Sequence, residues 1–164
     1  LEPENSIETI LDGYLRSGDT DAFLVVGKTD TRYGRFLMAK YQSHANIRLI
    51  GGVYDYDRLS SLRWHAQLYF HGHSVGGTNP SLVAAMASNA LVAAHDNPFN
   101  RSVLEENAFY FSSAADVADI IRSDTGASRE AFVARNREKV SRVYDWENIA
   151  RQHLDAFAAA LSAP

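Results

Sequence analysis

The sequence predicts an α/β domain: a Rossmann-like parallel sheet with helices on both faces and a helical C-terminus. Three observations predict it. Phe23-Leu24-Val25-Val26, Ile47 to Ile50 and Leu91-Val92-Ala93-Ala94 are short, continuous apolar runs, as in strands buried on both faces. Stretches of helical periodicity separate them, so strand and helix alternate along the chain. Strand ends run into glycine, at Gly27, Gly51-Gly52 and Gly72, where a parallel strand turns toward its crossover helix.

From the start of the chain, Asn5 is expected to cap a first helix, with Glu8 completing a capping-box-like pair. Ile7, Ile10, Leu11, Tyr14 and Leu15 recur at helical spacing up to Gly18. After the Phe23–Val26 strand, Arg32 to Ser43 reads as helix, Ile47 to Ile50 as strand, Asp57 to Trp64 as helix and Gln67 to Phe70 as strand. A small-residue helix, Leu82 to Ser88, leads to the Leu91–Ala94 strand. Phe99 to Glu105 is a short helix and Phe109-Tyr110-Phe111 the last strand. Everything from Ala114 onward reads as helical, with one long helix marked by Phe132, Val133, Val140 and Val143. Another is marked by Trp146, Ile149, Ala150, Leu154 and Phe157. No repeat or linker interrupts this pattern, so residues 1–164 form a single expected domain. Pro3, Asn5 and Glu8 carry helix-start chemistry where an alternating domain normally has a strand. The expectation is a piece of a longer protein whose first strand lies upstream.

Composition narrows the function classes. With 46% hydrophobic and 22% charged residues, the chain is of the globular type and able to bury one core. A formal charge of −4 argues against nucleic acid as a partner, which asks for a concentrated basic face. The absence of cysteine excludes disulfides and thiolate metal sites and agrees with a cytoplasmic setting. No apolar run approaches the ~20 residues of a membrane helix.

The suggestive chemistry gathers beyond the carboxyl ends of the expected strands, where ligands of such sheets lie. Gly76-Gly77-Thr78-Asn79-Pro80-Ser81 joins a strand to a helix, so its backbone N–H groups and the helix dipole behind them read as an anion cradle. Thr78 or Asn79 can cap the helix and Pro80 suits its first position, which leaves a well-capped structural turn as the alternative. Lys28 at a strand end and His73 in the loop are candidate phosphate contacts. Tyr54 and Tyr56, beside Gly51-Gly52, can flank an aromatic base or lie as loop aromatics. His71, His73 and His95-Asp96 are weighed as metal ligands, without a diagnostic spacing, and no metal is assigned. Asp55-Tyr56-Asp57 looks like a cation-holding aspartate pair, but precedes a helix where acidic residues cap. No nucleophile elbow or triad pattern is present, so no catalytic residue is assigned.

These residues resemble a known family. Gln67 through Phe111 resembles the donor-binding half of GT-B glycosyltransferases, specifically retaining family 4. Within it, His71-Gly72-His73-Ser74-Val75-Gly76-Gly77-Thr78-Asn79-Pro80-Ser81-Leu82 is similar to a bacterial rhamnosyltransferase-type subgroup. Ala94-His95-Asp96-Asn97-Pro98-Phe99-Asn100-Arg101 continues that likeness. Leu1 to Asn5 resembles the segment after the first strand, and Tyr144-Asp145-Trp146-Glu147 the closing helix that crosses toward the other domain.

The resemblance implies an enzyme of two Rossmann-like domains, with the acceptor on an N-terminal domain and a nucleotide-diphosphate sugar on this one. Gly76, Gly77, Thr78, Asn79 and Ser81 would line the donor diphosphate, with Val53, Tyr54 and Ala84 near the base and ribose. No cofactor or metal would be required. The acceptor would be a glycan or lipid-linked molecule in cell-envelope polysaccharide synthesis, at the cytoplasmic face, with any peripheral membrane contact made through the other domain. The isolated chain would be inactive. The sequence departs from the family pattern at Gly76 and Ala84, where the family often has glutamates, the second of them a ribose contact. Asn5 stands at a lysine position, the paired arginine would precede Leu1, and Asn89 replaces a common glycine. A non-catalytic nucleotide or sugar-phosphate binding module, or another GT-B enzyme such as a nucleotide-sugar epimerase, is the alternative.

Overall fold

A computed structural model describes residues 1–162. A 3-10 turn, Pro3–Asn5, precedes α1 (Ile7–Ser17). Then β1 (Phe23–Val25), α2 (Arg32–Tyr41), β2 (Ile47–Leu49), α3 (Tyr56–His65) and β3 (Tyr69–His71) alternate. They continue as α4 (Pro80–Ala87), β4 (Val92–His95), α5 (Pro98–Leu104) and β5 (Phe109–Phe111). Three helices close the described chain: α6 (Ala114–Arg122), α7 (Gly126–Val143) and α8 (Trp146–Ser162). All strand pairings are parallel, and the α/β architecture with a helical C-terminus is the one the apolar runs predict.

The sheet differs from the expectation in one respect: it comes in two pieces. β1 pairs with β2, in the register Phe23↔Ile47 to Val25↔Leu49, while β3, β4 and β5 form a separate three-stranded sheet. Each piece has its own core. Leu11, Tyr14, Val25, Leu37, Tyr41 and Ile47 surround the first; Leu82, Ala85, Met86, Val92, Ala94 and Leu104 are among those burying the second. A third cluster, Ile10, Phe111 and Val117, joins them through the half-buried Phe23 and Phe70, whose ring centroids lie 5.6 Å apart. Helices α1 and α6 pack over this junction so closely that a Cβ on Gly13 would stand 2.5 Å from Val117 Cβ.

The start of the chain corrects one expectation. Asn5 does not cap α1. It closes the 3-10 turn instead, accepting from Glu2 N–H at 3.1 Å, while Ser6 takes the N-cap position in the left-handed region at φ 50°. Pro3 favours an early turn, and the Asn5 carboxamide is thereby turned toward the sheet. Asn89, at the position where the resembled family commonly has glycine, also lies in the left-handed region, at φ 56°. Asparagine is among the few residues other than glycine that visit it readily.

Candidate functional site

The parallel strands deliver their carboxyl ends to one edge. β1 runs into Gly27-Lys28, β2 into Gly51-Gly52-Val53-Tyr54, β3 into the loop His73–Asn79, and β4 into Asp96-Asn97.

The loop is set by its own backbone chemistry and by polar groups beneath it. Gly76 adopts φ +103°, a conformation that residues with a Cβ rarely take. Asn79 caps α4: its Oδ1 accepts from Ser81 N–H at 2.9 Å and from the Ser81 hydroxyl at 2.7 Å. Pro80 occupies the first turn, where a missing N–H is harmless. Leu82 and Val83 N–H bond the Asn79 carbonyl. Among the described residues, the four amides from Gly76 to Asn79 donate to no group of the chain. A Cβ on Gly76 or Gly77 would meet nothing within 4 Å, so the loop also leaves room for a ligand at the backbone.

Below the loop, the His73 carbonyl accepts from Asn97 Nδ2 and Asn100 Nδ2, each at 3.0 Å. Asn100 also donates to the His95 carbonyl at 2.9 Å and is itself buried. This asparagine pair ties the loop to β4 and α5. Sequence reasoning passed over Asn100, because a polar residue in a short helix reads as surface. Its only signal was its place inside the His95–Arg101 run. The Asn5 carboxamide reaches His73 Nδ1 at 2.9 Å. With Asn5 Nδ2 as donor, Nδ1 is the acceptor and the ring hydrogen sits on Nε2, a donor available to an anion.

The predicted site residues divide. Lys28, Val53, Tyr54, His73 and Ser81 line one groove of about 1090 Å³. Gly76, Gly77 and Thr78 stand exposed and, with the half-buried Asn79, lie outside its lining. Ala84 is half-buried a turn into α4, also outside the groove, and its methyl offers no hydrogen bond. Tyr54 is 78% exposed and its ring lies against Gly52, where a Cβ would stand 2.6 Å from the hydroxyl. Tyr56 is exposed as the first residue of α3.

Of the groups weighed as metal ligands, Asp96 and Asp55 are engaged by neighbouring groups and His71 is buried. Asp96 makes a two-pronged pair with Arg101, at 2.5 and 2.9 Å, which holds its carboxyl below the usual range. Asp55 caps α3, accepting from Arg58 N–H at 2.7 Å. His71 is 5% exposed and stacked on His73 at 5.9 Å, and burial with neighbouring His73 and Arg63 lowers its pKa to about 4. Among the described residues, no group of three or more His, Cys, Asp or Glu side chains is placed to hold a metal ion. No described helix is long and apolar enough to cross a membrane.

No protein-family model matches the chain, and no curated protein sequence does. Solved structures do match its fold. HepE of Anabaena in complex with UDP superposes with TM-score 0.84 at 16% identity, covering 97% of this chain and 46% of that one. The same protein has been solved with UDP-glucose, with the same TM-score of 0.84. Sucrose-phosphate synthase from Thermosynechococcus elongatus gives 0.83 at 19% identity, covering 99% of this chain and 44% of that one. TarM gives 0.75 at 19% identity, covering 95% and 33%. The chain thus spans less than half the length of each of these structures. Its fold is that of the C-terminal half of GT-B glycosyltransferases.

Proposed function

We propose that the chain is the nucleotide-sugar-binding domain of a retaining, family-4-type glycosyltransferase of the bacterial rhamnosyltransferase-like subgroup. One observation carries the binding reading: four consecutive amides, Gly76 to Asn79, just ahead of α4 on the carboxyl edge of a parallel sheet, that donate to no group among the described residues. Such amides, backed by the positive end of a helix dipole, suit a diphosphate. The leaving diphosphate gains negative charge in the transition state, and donors already in place stabilise it without reorganising. Lys28 and His73 Nε2–H, on the adjoining groove, add charge and a hydrogen bond without a divalent cation. Val53 and Tyr54 flank the base. The fold neighbours crystallised with UDP and UDP-glucose support a donor of this chemical class.

In this reading a second α/β domain supplies the acceptor side, and the intact enzyme passes the sugar to a glycan or lipid-linked acceptor of cell-envelope polysaccharide, at the cytoplasmic face of the membrane. The present chain alone binds donor and transfers nothing. Nuclear magnetic resonance titration with UDP tests the binding. Amide shifts should concentrate at Gly76–Ser81 and Val53–Tyr54; saturation with shifts confined elsewhere would refute the assignment. Turnover of UDP-glucose by the chain alone would refute its predicted inactivity.

Ala84 favours a second reading, a binding module that has lost catalysis, because the ribose side of the site has no carboxylate. Ala84→Glu separates the two. A tenfold or greater gain in UDP affinity would mark a lost contact, and an unchanged affinity a site that never used one.

A further inference from the structure

Alternate residues of an extended chain share one face, which places Tyr69 and His71 of β3 in line with the following His73. Their rings form a column. Tyr69 and His71 lie 6.4 Å apart between centroids with planes 25° from parallel, and His71 and His73 lie 5.9 Å apart at 23°. Both spacings fall in the range of offset stacking. The buried Arg63 guanidinium of α3 stands over the Tyr69 ring, 5.9 Å from its centroid. The column thus runs from a buried cation to the half-buried His73 at the start of the glycine loop.

His73 is engaged at its carbonyl and at one ring nitrogen. The carbonyl accepts from Asn97 and Asn100, each at 3.0 Å, and Nδ1 meets the Asn5 carboxamide at 2.9 Å. Asn5 Oδ1 is already taken by Glu2 N–H at 3.1 Å, so the amide presents its Nδ2 to the ring. Nε2–H is then the donor of the ring that no described residue receives, and the plane of the ring sets where it points. The bond to Asn5 fixes one atom of the imidazole and leaves the ring free to rock about it. A flat neighbour stacked on its face removes that freedom, and His71 is placed to be that neighbour. It is 5% exposed and held in the ladder by the pairing His71↔Ala94. Its Nε2 is buried without a partner, so from that side it offers a flat face and no hydrogen bond.

We propose that His71 is a positioning residue for the donor site: stacked on His73, it holds that ring so that Nε2–H points at the donor diphosphate. The role rests on the donor-binding reading of the loop and names what aims one of its hydrogen bonds. His71 acts through His73 and makes no contact with the ligand itself. One hydrogen bond to an anionic ligand sets the scale. His73→Ala removes it and should weaken UDP binding about tenfold. Loss of the stack keeps the donor but lets the ring leave its orientation. With the donating orientation populated about a third of the time, affinity falls about threefold. Uridine carries no phosphate, so its affinity should respond to neither change.

Nuclear magnetic resonance titrations of the complete chain with UDP and with uridine test the role. His71→Leu keeps much of the volume and loses the flat ring, and His71→Val takes its place should leucine unfold the chain. His71→Phe restores a flat ring. His71→Leu should bind UDP about threefold more weakly and uridine as the parent does, and His71→Phe should return UDP affinity to the parent value. The double variant His71→Leu/His73→Ala should bind UDP no more weakly than His73→Ala alone, because nothing is left to position. A merely structural role would instead give additive losses and weaken uridine as well. Parent-like UDP affinity in His71→Leu, additive losses in the double variant, or no rescue by phenylalanine would each overturn this inference and leave the donor reading standing. A parent chain that binds no UDP would overturn both.

Discussion

Gly72→Ala reports on how the start of the chain is locked to the candidate site. Gly72 follows β3 directly, and a Cβ there would lie 1.8 Å from the Asn5 carbonyl oxygen and 2.8 Å from Ile10 Cδ1. The end of β3 is held by its ladder to β4, in the pairing His71↔Ala94, so the segment that yields is Pro3–Asn5. Its displacement breaks the bonds of Ser74 N–H and Oγ to the Glu4 carbonyl, at 2.9 and 3.0 Å, and the Asn5–His73 contact at 2.9 Å. Partly exposed hydrogen bonds at the low end of about 0.5–1.5 kcal/mol each, with about 1–3 kcal/mol for overpacking, give a loss of ~3 kcal/mol. At about 2–4 °C per kcal/mol for a domain of this size, Tm should fall by about 6–12 °C. Gly18→Ala is the control, because it meets open space and adds only the left-handed strain of φ +76°, about 1–2 kcal/mol. Circular dichroism melts of the two variants and the parent provide the assay. A Gly72→Ala melt within about 2 °C of the parent would refute the placement of residues 1–5 over the end of β3.

Stability should also depend on His71. Its native pKa, near 4, lies below the usual 6.5, so the unfolded chain takes the extra proton first. Stability is then full above pH ~6.5 and falls as pH drops toward 4, by about 2 kcal/mol at pH 5. His71→Phe should flatten that slope in urea unfolding at pH 7 and pH 5, and an unchanged slope would assign the effect elsewhere. Asn100→Ala removes the bonds to the His73 and His95 carbonyls and should cost about 2–3 kcal/mol in urea unfolding. It should also weaken UDP binding several-fold by loosening the loop, whereas full UDP affinity would separate the asparagine pair from the site. Asn89→Gly relieves a left-handed residue whose Oδ1 is buried without a partner, and should stabilise by ~0.5–1 kcal/mol; a lower Tm would show that the side chain has a role.

Continuous apolar runs were legible as strands whatever their neighbours are, although Leu24 leaves one face of β1 exposed rather than buried as expected. For the same reason the break between β1 and β3 was not: Phe23–Val25 and Tyr69–His71 read alike whether the adjoining position is filled or open. Strand limits drifted where polar residues carry the ladder. The expected Gln67–Phe70 strand lies at Tyr69–His71, where the backbone ladder to β4 runs from Tyr69↔Val92 to His71↔Ala94. The Asn79 and Asp55 caps were legible from local chemistry alone. Asn5 misled, since its bond to His73 joins residues 68 apart in sequence and no local pattern encodes that choice. The site loop was visible as glycines before a helix. The asparagines that hold it in place required the fold.

The most direct measurement is calorimetric titration of the chain with UDP, repeated on Gly77→Val. Gly77 has open space and lies outside the left-handed region, so the valine should leave Tm unchanged while its branched side chain covers the bare amides. The parent chain should bind UDP saturably and the variant should lose at least tenfold in affinity, about 1.4 kcal/mol. No binding by the parent at millimolar UDP, or equal affinity in parent and variant, would contradict the proposed donor site.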